Sequence, residues 1–366
     1  MLQAYTNATI FTGSKFIDHH VVIIADSIIE AILPAELLPG DISIIDCQNQ
    51  LLVPAFIDLQ IYGAGGKLFS AYPGSEVLQL LANHNAQSGT GTCLVTIATQ
   101  PMETILSCID AIKTYWQQGG DRIMGMHLEG PFINAVKRGA HVKEWIVSPT
   151  VDEVKTLLRV AGGVIKMVTL APECLDEKII PLFLENGVIV SIGHSNATFS
   201  EAINAMKNGA TTVTHLYNAM SPLHHREPGL VGAAMQHPSA TASIIPDGIH
   251  VNYEAIKIAK QIMGQRLFFI TDAVTKTTIG PYRHVLNSDH YDLPDGTLSG
   301  SALTMVIAVK NAVEHCNTSL DEALRMASLY PARVMGLQQQ LGKIEKGFAA
   351  RFALVNRDLS SATLCG

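Results

Sequence analysis

Residues 188–215 read VIVSIGHSNATFSEAINAMKNGATTVTH, and this stretch contains one complete unit of the fold. A β-branched run from Val188 to His194 is followed by a segment from Ser200 to Gly209 in which apolar residues recur at helical spacing. A second β-branched run, from Thr211 to His215, ends the unit. Strand, helix and strand in this order predict two parallel strands joined by a helix.

The same alternation continues along most of the chain. Eight β-branched runs are separated by segments long enough for a helix: Ala55 to Gln60, Gly91 to Ala98, Ile123 to Glu129, Ile165 to Leu170, Val188 to His194, Thr211 to His215, Ser243 to Asp247 and Leu267 to Asp272. Eight such units predict an α/β fold, a (β/α)8 barrel of the TIM type. An open doubly wound sheet has the same periodicity and is the alternative.

The two ends of the chain have a different pattern. Apolar segments such as Val21–Ile24 and Phe352–Val355 are broken by turn residues and lack the helical spacers of the middle. We predict that residues 1–50 plus 340–366 form a small β-sandwich domain from both termini, and that residues 51–339 form the barrel.

Composition restricts the class of protein. The 366 residues are 48% hydrophobic and 16% charged, but no apolar stretch approaches the roughly 18 residues of a membrane span. The first residues lack a basic region followed by an apolar one, so we expect a cytoplasmic protein without a membrane association. The six scattered cysteines predict reduced thiols, and the net charge of −7 argues against nucleic acid as a partner.

Five of the predicted strands end at residues that can bind metal or transfer protons: Gln60, Glu129, His194, His215 and Asp272. In a barrel the carboxyl ends of the strands converge on one mouth, where active sites of this fold are built. One Glu and two His can bind a divalent ion and leave a position open for water, which is typical of hydrolytic sites. A Glu or a His alone at a strand end is more often a turn residue or a hydrogen-bonded scaffold residue, so the prediction of a metal site depends on the set.

Several longer motifs carry a family resemblance. The chain resembles, in order, the motifs of the N-acetylglucosamine-6-phosphate deacetylases of the amidohydrolase superfamily: His127–Phe132 (HLEGPF), Gly193–Ala197 (GHSNA), Thr214–Met220 (THLYNAM), Arg226–Gly229 (REPG), Asp247–His250 (DGIH), Thr271–Ala273 (TDA), Gly296–Ser301 (GTLSGS) and Leu329–Ala332 (LYPA). The resemblance covers nearly the whole chain.

The resemblance implies roles for individual residues. It implies that a metal-activated water hydrolyses an acetamide, with Glu129, His194 and His215 as the metal ligands. Asp272 would be the catalytic base and acid, and His141 would bind the substrate and assist catalysis. The contacts to the sugar phosphate would come from Asn218, the backbone at Ala219, Arg226 and His250. A guanidinium fork and an imidazole are suitable groups for binding phosphate.

The first strand departs from many amidohydrolases. Where these have His-x-His for a second metal, this chain has Gln60 and Tyr62. We therefore expect one divalent metal per chain, with zinc first and iron, manganese or cobalt as alternatives. The histidines without a partner at useful spacing, among them His284 and His290, are expected to be surface or core residues.

Two other functions stay open at this point. A related amidohydrolase could act on another amide or on an epimeric amino-sugar phosphate, and a non-catalytic sugar-phosphate sensor could keep the fold. The expected partner is a small phosphosugar, and the resemblance implies a homodimer.

Overall fold

The computed structural model describes residues 2–366, which divide into two compact units. One unit contains the chain up to Asp58 together with Asn83–Thr92 and Thr304–Gly366. The other contains Leu59–Ala82 and Cys93–Leu303. The division into 1–50 plus 340–366 and 51–339 stays a prediction.

The strands and helices are numbered in chain order. The strands are β1 Leu2–Thr6, β2 Thr9–Phe11, β3 Phe16–Ile17, β4 His20–Ala25, β5 Ile28–Pro34, β6 Ser43–Asp46, β7 Leu51–Pro54, β8 Phe56–Ile61, β9 Gly63–Ala64, β10 Lys67–Leu68, β11 Thr90–Ile97, β12 Ile123–Glu129, β13 Ile165–Leu170, β14 Ile189–Ile192, β15 Thr212–Val213, β16 Thr241–Ile244, β17 Leu267–Phe269, β18 Val285–Asn287, β19 His290–Asp292, β20 Leu298–Ser301, β21 Phe352–Val355 and β22 Ala362–Cys365. The helices are α1 Ser75–Ala86, α2 Met102–Gln117, α3 Val151–Ala161, α4 Ile179–Glu185, α5 Phe199–Lys207, α6 Gly229–Gln236, α7 Tyr253–Met263, α8 Met305–His315, α9 Leu320–Ala327 and α10 Leu329–Val334. Within residues 2–366, none of these helices has both the length and the apolar character needed to cross a membrane.

The first unit contains a β-sandwich. Its sheets have the strand orders β5-β4-β1-β6 and β22-β21-β7-β2-β3, so the second sheet combines strands from both termini. Tyr5 and Val22 of one sheet and Leu52 and Phe352 of the other lie in one buried core, where the rings of Tyr5 and Phe352 meet edge to face at 5.2 Å. The prediction of a small β-sandwich formed from both termini is confirmed.

An eight-stranded sheet with the order β8-β11-β12-β13-β14-β15-β16-β17 forms the barrel, and the ladders from β11 to β17 are parallel. The two ends of the sheet meet through backbone hydrogen bonds. The Asp272 N–H donates to the Gln60 carbonyl at 3.0 Å, and the Tyr62 N–H donates to the Ala273 carbonyl at 2.9 Å. The (β/α)8 barrel is therefore confirmed, and the open doubly wound sheet is excluded.

Three of the strands predicted to end at a metal-binding or proton-transferring residue stop earlier than expected. Strands β14, β15 and β17 stop before His194, His215 and Asp272. The φ angles of these three residues are 46°, 35° and 54°, in the left-handed region, which no extended strand can include. The prediction that the strands run into these residues is wrong, because the backbone has left the extended conformation at each of them.

Helix α5 begins where the sequence favours it. The Thr198 hydroxyl accepts the Glu201 N–H, and the Glu201 carboxylate accepts the Thr198 N–H, which forms a capping box. Ala202, Ala205 and Met206 on one face of the helix are buried. The helix predicted over residues 200–209 is confirmed to within two residues.

Gly193 occupies a close approach between strands directly before His194. A Cβ at this position would lie 2.8 Å from Cγ2 of Thr169 and 2.9 Å from Cβ of Thr214. Gly193→Ala is expected to lower the free energy of unfolding by about 1–3 kcal/mol through overpacking, measured as the midpoint of urea unfolding. Gly40→Ala is the control, since nothing lies within 4 Å of a Cβ there. Equal midpoints for the two variants would contradict the packing argument.

Candidate active site

Three buried donor atoms meet at the mouth of the barrel. Glu129 Oε1 lies 3.0 Å from His215 Nε2 and 3.3 Å from His194 Nε2, and the two imidazole nitrogens are 3.1 Å apart. Ligands of a tetrahedral ion at about 2.0–2.1 Å are roughly 3.3–3.4 Å from one another. The spacing of these three atoms therefore suits a divalent metal ion.

The hydrogen bond that His194 makes through Nδ1 leaves its Nε2 available to bind a metal. Its Nδ1 lies 2.9 Å from the Lys137 carbonyl, which can only accept a hydrogen bond. The neutral ring thus carries its proton on Nδ1 and directs the lone pair of Nε2 towards Glu129 and His215. A ring fixed in this way by a backbone carbonyl is common among metal-binding histidines.

Glu129 is an anion in the interior of the protein. Burial by itself raises the pKa of its carboxyl, but hydrogen bonds with His141 and His215 outweigh burial and hold the pKa well below the usual range. The carboxylate is therefore charged and can attract a cation.

His141 lies on the opposite side of the same carboxylate. Its Nε2 is 3.4 Å from Glu129 Oε2, and its Nδ1 accepts the Thr99 N–H at 3.1 Å. Because a backbone N–H can only donate, the neutral ring carries its proton on Nε2. Burial, with His194 nearby, lowers the pKa of His141 to about 4, so the ring is a neutral donor directed into the site.

Donor atoms of Glu129, His141 and His194 also approach within 4.8 Å of one another, so His141 could serve as a further ligand. The fixed proton on Nε2 makes it a weaker candidate than His215. We therefore describe it as a hydrogen-bond donor.

Gln60 and Tyr62 connect the two carboxylates of the site. Gln60 Nε2 lies 2.6 Å from Asp272 Oδ1, 3.0 Å from Glu129 Oε1 and 2.9 Å from the Tyr62 hydroxyl. That hydroxyl in turn donates to Glu129 Oε2. An amide and a phenol thus lie beside the carboxylates, at the place where many amidohydrolases have two histidines.

A cavity of about 190 Å³ contains most of the predicted site residues. The predicted residues in its wall are Glu129, His141, His194, His215, Asn218, Ala219, His250 and Asp272. His250 Nδ1 lies 2.6 Å from Asp247 Oδ2, and hydrogen bonds from His250 outweigh burial and lower the pKa of Asp247. Arg226 is exposed and is not part of this wall among the described residues. The sequence thus identified eight of the nine predicted residues as neighbours in space, while their individual roles stay predictions.

The structure adds residues that the sequence did not indicate. Tyr282 and His284 line the cavity, and the Tyr282 hydroxyl donates to the Thr99 carbonyl at 2.7 Å. His284 is buried, as expected of a core residue, and it also forms part of the cavity wall. No spacing in the sequence relates it to the other histidines, because it comes from the segment that leads into β18.

Comparisons with known proteins agree with this geometry. Residues 51–364 match the model of the amidohydrolase family, and residues 2–52 match the NagA composite domain. The N-acetylglucosamine-6-phosphate deacetylase of Haemophilus influenzae is 38% identical over 97% of this chain and 95% of that protein. This chain belongs to the N-acetylglucosamine-6-phosphate deacetylase family of amidohydrolases. The family resemblance drawn from the motifs is thereby confirmed.

Other members of the amidohydrolase family are similar over the same length. The N-acetylgalactosamine-6-phosphate deacetylase of Escherichia coli O157:H7 is 34% identical over 96% of this chain and 94% of that protein. The crystal structure of the N-acetylglucosamine-6-phosphate deacetylase from Pasteurella multocida superimposes with a TM-score of 0.95 at 35% identity, covering 99% of this chain and 97% of that one. The whole fold, including the sandwich, is thus shared with solved deacetylases.

The contact between Tyr62 and Glu129 leads to a prediction. In Tyr62→Phe the carboxylate loses one of its two donors at Oε2, and such outer partners typically contribute about 10- to 100-fold to metal affinity. We expect a loss of this size in metal affinity, measured by competition with a chelator of known affinity. Tyr282→Phe is the matched control, because it removes a hydroxyl from the same cavity that bonds to Thr99 instead of Glu129. Equal affinities in the two variants would mean that the Tyr62 hydroxyl does not support the ligand.

Proposed function

We propose that this amidohydrolase hydrolyses the acetamide of N-acetylglucosamine 6-phosphate, releasing acetate and glucosamine 6-phosphate. The observation that carries the proposal is the set of Glu129, His194 and His215 in one buried cluster, facing the same cavity as His141 and Asp272. The names of the relatives and of the solved neighbours support the substrate.

Each of these residues has a separate role in the proposed hydrolysis. Glu129, His194 and His215 would hold a divalent ion, which when bound would lower the pKa of a water towards ~7 and polarise the acetyl carbonyl. Asp272 accepts a proton from the attacking water and later donates it to the nitrogen of the departing amine. The His141 Nε2–H donates to the carbonyl oxygen as negative charge develops on it.

The remaining predicted residues bind the sugar phosphate. Asn218 and the backbone at Ala219 line the cavity together with His250, whose Nδ1 lies 2.6 Å from Asp247 Oδ2. Arg226, which is exposed, would meet the phosphate at the mouth, where a guanidinium can bind it through two hydrogen bonds.

The other proposals concern the context of the enzyme. We place it in the cytoplasm as a homodimer, with zinc as the resident ion ahead of iron, manganese or cobalt. We also keep residues 1–50 plus 340–366 as the small domain and 51–339 as the catalytic domain. Metal analysis would test the identity of the ion, size-exclusion chromatography with light scattering the homodimer, and expression of the separate segments the domain division.

Acetate release is the direct measurement of the proposed function. We expect release from N-acetylglucosamine 6-phosphate, little from the unphosphorylated sugar, and loss of release after chelation that is restored by added metal. The 4-epimer, N-acetylgalactosamine 6-phosphate, belongs in the same panel because one relative is named for it. A folded, metal-loaded protein that releases no acetate from any of these sugars would overturn the proposal, and binding of the sugar phosphates without release would favour a sensor.

Asp272 is the residue whose replacement separates chemistry from binding. Asp272→Asn keeps the shape and the acceptor for Gln60 but loses the proton acceptor, so we expect a fall in kcat of about 100- to 10,000-fold with metal content unchanged. Asp289→Asn, an exposed aspartate of the same region, is the control and should retain activity. Near-normal turnover in Asp272→Asn would remove Asp272 from the catalytic role.

The number of metal ions follows from the contacts of the first strand. Gln60 Nε2 and the Tyr62 hydroxyl direct their hydrogens at Glu129 and Asp272. These donor groups would repel a cation, and they occupy the position where relatives with His-x-His would bind a second metal. We expect about one equivalent of metal per chain by elemental analysis after reloading. Two fully occupied ions would contradict this expectation.

A further inference from the structure

One imidazole in the cavity wall has no part in the proposed chemistry. His284 precedes strand β18 of a three-stranded antiparallel sheet, β18-β19-β20, and is buried while lining the cavity. The reacting groups, Glu129, His141, His194, His215 and Asp272, line the same cavity, and His250 is paired with Asp247. Among the described residues, His284 is therefore the one histidine of the wall to which these roles assign no function.

Hydrogen bonds fix the proton of His284. The Ser299 hydroxyl lies 3.1 Å from the Tyr291 carbonyl, and because that carbonyl can only accept, the single hydroxyl proton is used there. Ser299 Oγ can then only accept from His284 Nδ1, which is 2.8 Å away. Burial lowers the pKa of His284 to about 4, so the ring is neutral near pH 7. Its Nε2 consequently carries a lone pair and is an acceptor.

Two tyrosines hold the ring in position. Tyr282 stacks on it with ring centroids 6.3 Å apart and an interplanar angle of 18°, and Tyr291 meets it edge to face at 6.4 Å. The Tyr282 hydroxyl is in turn anchored to the Thr99 carbonyl, and Thr99 contacts His141. The acceptor on His284 is thus held rigidly with respect to the reacting groups.

The chemistry of this acceptor defines what it can bind. A lone pair repels phosphate oxygens, so it does not suit the phosphate, and a single imidazole without a neighbouring carboxylate is a poor metal site. A hydroxyl group is the donor that a sugar presents in quantity. We infer that His284 Nε2 accepts a hydrogen bond from a ring hydroxyl of the amino sugar and is a specificity-determining residue of this enzyme. The inference rests on the proposed function, since it needs a sugar in the cavity.

A site that hydrogen-bonds a substrate hydroxyl discriminates against analogues that lack it. The experiment is a double-mutant cycle in which the side chain is changed in the enzyme and a hydroxyl is removed from the substrate. It measures kcat/KM of the wild-type enzyme and of His284→Phe with N-acetylglucosamine 6-phosphate and with its 3-deoxy and 4-deoxy analogues. For one of the two positions we expect the wild type to lose about 10- to 100-fold with the deoxy sugar, and His284→Phe to lose less than about 3-fold. The loss should lie mainly in KM, because the contact is made equally in the ground state and the transition state.

Three further variants test the inference. His284→Gln can place its side-chain oxygen near the position of Nε2 and should restore part of the preference for the hydroxyl. His290→Phe is the matched control, a histidine of the same β-sheet that pairs with Asp289 and Asp292 outside the cavity, and it should keep the wild-type preference. If His284→Phe does not fold, Ser299→Ala takes its place, since it releases the proton of Nδ1 and should weaken the same preference.

The outcomes are distinct. Losses that are the same in the wild type and in His284→Phe at both positions would overturn the inference while leaving the deacetylase activity intact. Absence of acetate release from the complete substrate in the wild type would be a failure of the proposed function. In that case the same cycle, run on the binding of the sugar phosphates by calorimetry, still decides whether His284 contacts a hydroxyl.

Discussion

The rest of the site depends on one buried carboxylate. Glu129 is 1% exposed, and an ionised carboxyl in such surroundings is strongly unfavourable unless it is paired or hydrogen-bonded. Five side chains surround it: Gln60, Tyr62, His141, His194 and His215. They come from β8 and the residue directly after it, from the loop after β12, and from the segments that follow β14 and β15. These chain segments meet at one point because the sheet closes into a barrel. The buried charge of Glu129 therefore acquires its partners only when the barrel has closed.

Local backbone strain serves the same arrangement. His194, His215 and Asp272 adopt left-handed conformations, which are unfavourable for residues with a Cβ and persist where the surrounding structure imposes them. The Asp272 N–H is tied to the Gln60 carbonyl, so the hydrogen bond that closes the barrel also positions the proposed base. The left-handed conformation at these residues thus helps to direct their side chains into the cavity.

A chain of buried hydrogen bonds that starts at His127 has its donors and acceptors fixed. His127 Nδ1 lies 3.0 Å from the Leu59 carbonyl and must donate to it, so its Nε2 accepts from Thr169 at 2.7 Å. Thr169 then accepts from Thr214 at 2.7 Å, and Thr214 accepts from Ser191 at 2.6 Å. Burial lowers the pKa of His127 to about 4, which keeps the ring neutral. A chain of neutral, satisfied groups beneath a charged cluster adds rigidity without adding charge.

The sequence by itself determined the eight strands, the helices between them and the residues that the strand ends bring together, because side-chain periodicity and residue type are local properties. It also identified Gln60 and Tyr62 as a departure in the first strand. It could not determine that the Tyr62 hydroxyl bonds to Glu129, 67 residues away, or that Gln60 bridges to Asp272, 212 residues away. Nor could it fix which nitrogen of His141, His194 or His284 carries the proton, or that His284 joins the cavity. Those features depend on hydrogen-bond partners that are distant in the chain and become neighbours only when the barrel closes, and so the tertiary structure alone decided them.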